Sequence, residues 1–207
     1  MRSRTQRLLR LGGVVVLGAV LLVVGLAAAA SGQARHVRWD IISLVGGAPP
    51  GPINPGGMAS ATAPDDTMIT LTGAGTFVAP GGQGGGSHAV TGGGTWQTFD
   101  AAGTSTGSGT YQVEELVSFE FANFQSPTPA FVDNIGQVNQ RANGSAVLRI
   151  QYSDGSQGVL TVGCHGPGAP PGIFEGIATT KGFKTYYTVQ APVAGVDANR
   201  TIFHILR

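Results

Sequence analysis

Apolar and polar residues alternate with a period of two along most of the chain after residue 35, and Gly, Pro, Asn and Asp interrupt the runs. This is the pattern of half-buried β-strands. No amphipathic helical pattern follows the first 34 residues. Val37, Trp39 and Ile41 share one face of a strand over 36–44, with His36, Arg38 and Asp40 on the other. A Gly/Pro-rich loop over 45–57 follows. Further strands are predicted over 58–63, 68–79, 88–99 and 104–122, the second placing Ile69, Leu71 and Phe77 on one face. In the long strand 104–122 the odd positions Tyr111, Val113, Val117, Phe119 and Phe121 are apolar and the even positions mostly polar. The stretch 123–143 is irregular. Strands over 146–152 and 158–164 flank Asp154-Gly155, a dipeptide suited to tight hairpin turns. A strand over 173–181 and a terminal strand over 201–206, apolar on both faces and hence buried, complete the pattern.

One phrase occurs three times. Gly73-Ala74-Gly75-Thr76-Phe77, Gly92-Gly93-Gly94-Thr95-Trp96 and Gly107-Ser108-Gly109-Thr110-Tyr111 each read Gly-x-Gly-Thr-aromatic. In an extended strand both glycines and the aromatic face the same way. A bare glycine leaves a groove that a ring from the next strand fills, and a sheet built so curls strongly. The expected fold is all-β: an antiparallel meander of roughly 8–10 strands closed into a small barrel, with a two-layer β-sandwich as the alternative.

The ends refine the picture. Arg2, Arg4, Arg7 and Arg10 precede an uncharged run over 11–30 that ends in small residues. This reads as a bacterial-type export signal helix cleaved after Ala30 or Ala34, or as an uncleaved signal-anchor. Residues 1–34 are therefore assigned to the signal and 35–207 to a single β-domain. The expected location is secreted, extracellular or in the cell envelope, and membrane contact is expected only through an uncleaved N-terminal segment. Without residues 1–34 the chain has 8 basic and 11 acidic residues, a net charge of −3. No Lys/Arg cluster remains for a phosphate backbone, so nucleic acid is not an expected partner. Cys164 is the sole cysteine, and an intrachain disulfide is excluded.

Candidate chemistry is sparse. Glu115 falls by parity on the apolar face of its strand, and Glu175 lies between Ile173 and Ile177. Two carboxyls across a cavity can share general acid/base work, so this pair is the catalytic candidate. Alternatively, a bulge at Glu114-Glu115 turns both of these outward and Glu175 sits at a rim. Trp39, Phe77, Trp96, Tyr111 and Phe119 either line an apolar binding cavity or fill a dry core. The histidines lack metal-ligand spacing, and no metal or cofactor is expected. The functional expectation is non-catalytic binding of a small apolar ligand or an envelope partner. A cofactor-free barrel enzyme and a structural envelope protein are the alternatives.

Overall fold

The computed structural model describes residues 34–44, 51–79, 86–127, 131–190 and 199–206. The signal segment up to residue 33, residues 45–50 of the predicted loop 45–57, and residues 80–85, 128–130 and 191–198 lie outside the described residues. Among the described residues thirteen strands follow one another: β1 (Arg35–Leu44), β2 (Ile53–Pro55), β3 (Ala59–Thr62), β4 (Met68–Leu71), β5 (Ala74–Ala79), β6 (Val90–Phe99), β7 (Ser105–Phe124), β8 (Arg141–Tyr152), β9 (Gln157–Cys164), β10 (Gly176–Lys181), β11 (Lys184–Tyr186), β12 (Thr188–Val189) and β13 (Arg200–Leu206). The only helical element among the described residues is a 3₁₀ turn, Val138–Gln140.

Six strands close on themselves in the antiparallel ring β1–β5–β6–β7–β8–β13. The barrel expected from the glycine repeats is thus present, with further strands outside the ring. Closure is not purely a meander, because the first strand pairs with the last: Trp39 stands opposite Phe203. The remaining strands extend the ring at its edges. β9, β10 and β11 continue outward from β8, while β4, β3 and β12 continue from β6. The expected single strand 68–79 divides into β4 and β5, which pair with different halves of β6.

The repeats act in part as their spacing implies: Phe77, the aromatic of the first, stands between Val37 and Val90, with no glycine opposite it. Trp96 stands opposite Gly109, where an added Cβ would lie 2.9 Å from the indole nitrogen. Tyr111 stands opposite Gly94, and Trp39 opposite Gly75. Trp96 covers Gly107 and Gly109 and Trp39 covers Gly75, whereas at Gly94 an added Cβ would meet the backbone of Thr72 and Gly73. Inside the ring Phe77, Phe119 and Phe203 contact one another at centroid distances of 5.1–6.4 Å. Tyr152 contacts Trp96 at 5.9 Å and Tyr111 at 6.2 Å. These tilted and edge-to-face contacts are the favoured aromatic geometries.

A second, smaller apolar cluster lies on the outside of the ring. Ile42, Ile53 and Ile202 are buried there, with Leu44, Phe131 and Ile135 packed against them. The cover consists of β2 and the segment after residue 131, joined by the bonds Ile53 N–H to Val132 O and Asn134 N–H to Ile53 O. This cover explains why β13 is apolar on both faces.

Candidate functional site

β7 carries the first catalytic candidate, and its register corrects the parity argument. Val113 faces Ile150, but Glu115 faces Arg149, and a second shift separates Leu116 from Ser118. Each bulge inserts one unpaired residue and reverses the faces. Glu115 therefore points outward, its carboxylate 3.0 Å from the Arg149 guanidinium. Leu116 takes the inward place, and Val117, expected inside, is exposed. Beyond the second bulge the odd positions face inward again, and Phe119 joins the core.

Glu175 departs from expectation in another way. It precedes β10 instead of lying within it. Its carboxylate accepts hydrogen bonds from the backbone N–H groups of His165 and Thr201, the latter at 2.7 Å. It thereby ties the end of β9 to the start of β13. Burial pushes its carboxyl up to about 7, against the opposing pull of those two donors and of Arg200 and His165. No contact among the described residues joins Glu175 to Glu115. Cys164 lies beside this tie, fully buried, and its Sγ accepts a bond from Gln125 Nε2 at 3.3 Å. Burial, with the nearby Glu175 carboxylate, pushes the thiol well up, so it is a poor nucleophile. His165 is exposed, with Nδ1 2.7 Å from Ile173 O.

The raised Glu175 carboxyl makes a definite stability signature. The folded state holds this proton more tightly than the unfolded chain, whose value is the ordinary 4.5. Its contribution is complete below that value and is lost as pH rises through about 7. At ~1.4 kcal/mol per unit the loss is roughly 3 kcal/mol. Urea unfolding between pH 4.5 and 8 is expected to show this decline in wild type and a flatter profile in Glu175→Gln. Equal slopes would reject the assignment.

The five aromatic candidates, Trp39, Phe77, Trp96, Tyr111 and Phe119, belong to one core cluster, the first four buried and Phe119 partly so. The Tyr111 hydroxyl donates to Thr72 O at 2.8 Å, and the Trp96 indole donates to Thr110 O at 3.1 Å. Both polar tips are thus held by the barrel wall.

Two groupings emerge only in three dimensions. On the outer face of β1, β13 and β8, Arg38 stands opposite His204, and His204 opposite Arg141. Asp40 accepts two bonds from Arg38, both at 2.8 Å. Asp133, on the covering segment, lies 2.9 Å from His204 Nε2 and 3.9 Å from Arg141 Nε. Asp40, Asp133, Arg141 and His204 are all buried or nearly so. The signal for this cluster in the sequence was only the second apolar face of β13.

The other grouping lies on the outer face of β3, β4, β6 and β7. Ser60, Thr70, Gln97 and Ser108 form one cross-strand row. Thr72, Thr95 and Thr110 form the next. Hydroxyl pairs lock the rows, at 2.7 Å for Ser60–Thr70 and 2.7 Å for Thr72–Thr95. A shallow cleft of about 370 Å³ opens over this surface, with Met58 at its margin.

Among the described residues no three His, Cys, Asp or Glu side chains converge as metal ligands, and no helix is long and apolar enough to cross a membrane. The molecule thus belongs to the class of small closed antiparallel β-barrels with added edge strands. No known protein family, curated protein or solved structure matches the chain.

Proposed function

We propose that this is an exported, non-catalytic binding protein that engages a partner in the cell envelope through the outer face of β3, β4, β6 and β7. The observation that carries this reading is the contrast between the two faces of the same strands. The inner faces are occupied by rings in contact with one another. The outer faces present an open, uncharged cleft. A barrel whose own aromatics fill its interior offers a ligand more room outside than within. The rings expected to contact an apolar ligand serve packing, which favours the surface-partner form of the binding hypothesis. The acid/base alternative keeps Glu175 but loses its pairing with Glu115, which is bound to Arg149 on the outside. The arginine-led apolar run at the N-terminus supports export.

Thr95 lies at the centre of this face and is exposed. Thr95→Arg places a long charged side chain across the cleft while leaving the inner face untouched. The purified mature protein is expected to co-sediment with envelopes of the producing cells, and Thr95→Arg to remain in the supernatant. Identical sedimentation of the two proteins would reject this face as the binding surface.

A further inference from the structure

We propose that the cleft over β4, β6 and β7 binds a neutral glycan chain. This rests on the reading of that face as the binding surface and specifies its ligand. The cleft lacks charged side chains. It is lined by Met58, Thr70, Thr72, Thr95, Gln97, Ser108 and Thr110, with Trp96 and Gly109 between them in the strands. None of these carries a charge. A phosphorylated or carboxylated ligand would leave its hydration shell and gain no counter-charge, which is unfavourable. A purely apolar ligand would strip water from a dense set of hydroxyls without replacing those bonds.

What the cleft offers fits an uncharged polyhydroxyl compound. A hydroxyl can donate one bond and accept two. The Thr72–Thr95 pair uses one hydrogen between its members and leaves one to offer outward, while Thr72 Oγ1 also accepts from the Thr95 N–H. Gln97 donates through Nε2 to Ser105 Oγ at 2.9 Å, so its carbonyl oxygen remains an acceptor. The rows thus combine groups able to donate with groups able to accept, as a sugar's hydroxyls require. Threonine methyl groups and Met58 supply apolar contact for the C–H faces of such a ring.

The array is also held in place before any ligand arrives. Thr70, Thr72 and Thr95 are β-branched and stiff, and their hydroxyls are locked in cross-strand pairs. Little side-chain freedom is lost on binding, which favours recognition by many modest bonds. The cleft volume of about 370 Å³ lies near the lower end of the ~300–1,000 Å³ range of small-molecule sites. Its open form suits a segment of an extended chain passing across the sheet.

The test uses maltohexaose, cellohexaose and N-acetylchitohexaose as neutral probes, a heparin hexasaccharide as an anionic probe and decanol as an apolar one. Binding is read by calorimetry and by backbone amide shifts of the mature protein. At least one neutral hexasaccharide is expected to bind, with shifts centred on residues 70–72, 95–97 and 108–110. The double variant Thr72→Val/Thr95→Val keeps shape and β-propensity but removes two hydroxyls, and an affinity loss of about tenfold is expected. Its unfolding midpoint serves as the folding control. Binding of none of the neutral probes, shifts located elsewhere, or preference for heparin or decanol would overturn the glycan assignment. If envelope sedimentation still responds to Thr95→Arg in that case, the face remains the binding surface and only the ligand class fails.

Discussion

Replacing Gly75 by valine is expected to prevent recovery of folded barrel. Gly75 lies in β5, opposite Trp39 of β1 on one side and Gly92 of β6 on the other. An added Cβ would stand 2.2 Å from Thr91 O, 2.9 Å from Gly92 Cα and 2.9 Å from the Trp39 indole nitrogen. Two of those three atoms are backbone in the closed ring and cannot turn aside. The cost exceeds the ~1–3 kcal/mol typical of an overpacked core, where a side chain can move. Gly107→Ala is the graded comparison, because its closest neighbours at 3.3 Å are atoms of the Trp96 ring. That variant is expected to fold with a lowered midpoint, while Gly75→Val gives insoluble protein without a cooperative melting transition. A soluble Gly75→Val protein with a wild-type midpoint would disprove the close approach that shapes the barrel.

Asp133→Ala is expected to destabilise the domain by about 3–5 kcal/mol, the cost of leaving a buried charge unpaired. Removing this carboxylate strands Arg141 and His204 beneath the segment that covers β1 and β13. It also frees the N–H groups of Ile135 and Gly136, each bonded to Asp133 Oδ1 at 3.0 Å. The pH dependence has a distinct sign. Burial pushes the Asp133 carboxyl up, but the His204 bond and the two backbone donors outweigh it and hold the group below its ordinary range. Its contribution is present above the ordinary carboxylate range and is lost as pH falls through the depressed value. Wild type therefore loses stability on the acid side from this group, and Asp133→Ala lacks that component. Urea titrations from pH 2.5 to 6 distinguish the two. An unchanged midpoint in Asp133→Ala would show that the cluster does not hold the cover in place. This acid limb runs opposite to the effect of Glu175, so a maximum between them is expected in the wild-type stability profile.

The strand pattern was legible because a half-buried strand repeats every two residues, and the turn at Asp154-Gly155 was legible because Gly155 adopts a positive φ of 87°. The face of Glu115 was not. Two bulges, around Glu114 and Val117, reverse parity and then restore it, so the flanking alternation conceals the change. Glu175 was misplaced because the residues before β10 have strand-like composition but follow the turn instead. The cluster of Arg38, Asp133, Arg141 and His204 draws on residues from separate parts of the chain, with no local pattern to mark it.

The chain by itself determined that the domain is built of strands and that its glycines recur where the sheet must bend closely. Those properties depend on neighbours a few residues apart. Tertiary structure decided that β1 would meet β13, that two carboxylates would part, and that the polar sides of β3, β4, β6 and β7 would form one continuous surface. Such outcomes depend on strand register and ring closure, which arise from packing between segments far apart along the backbone.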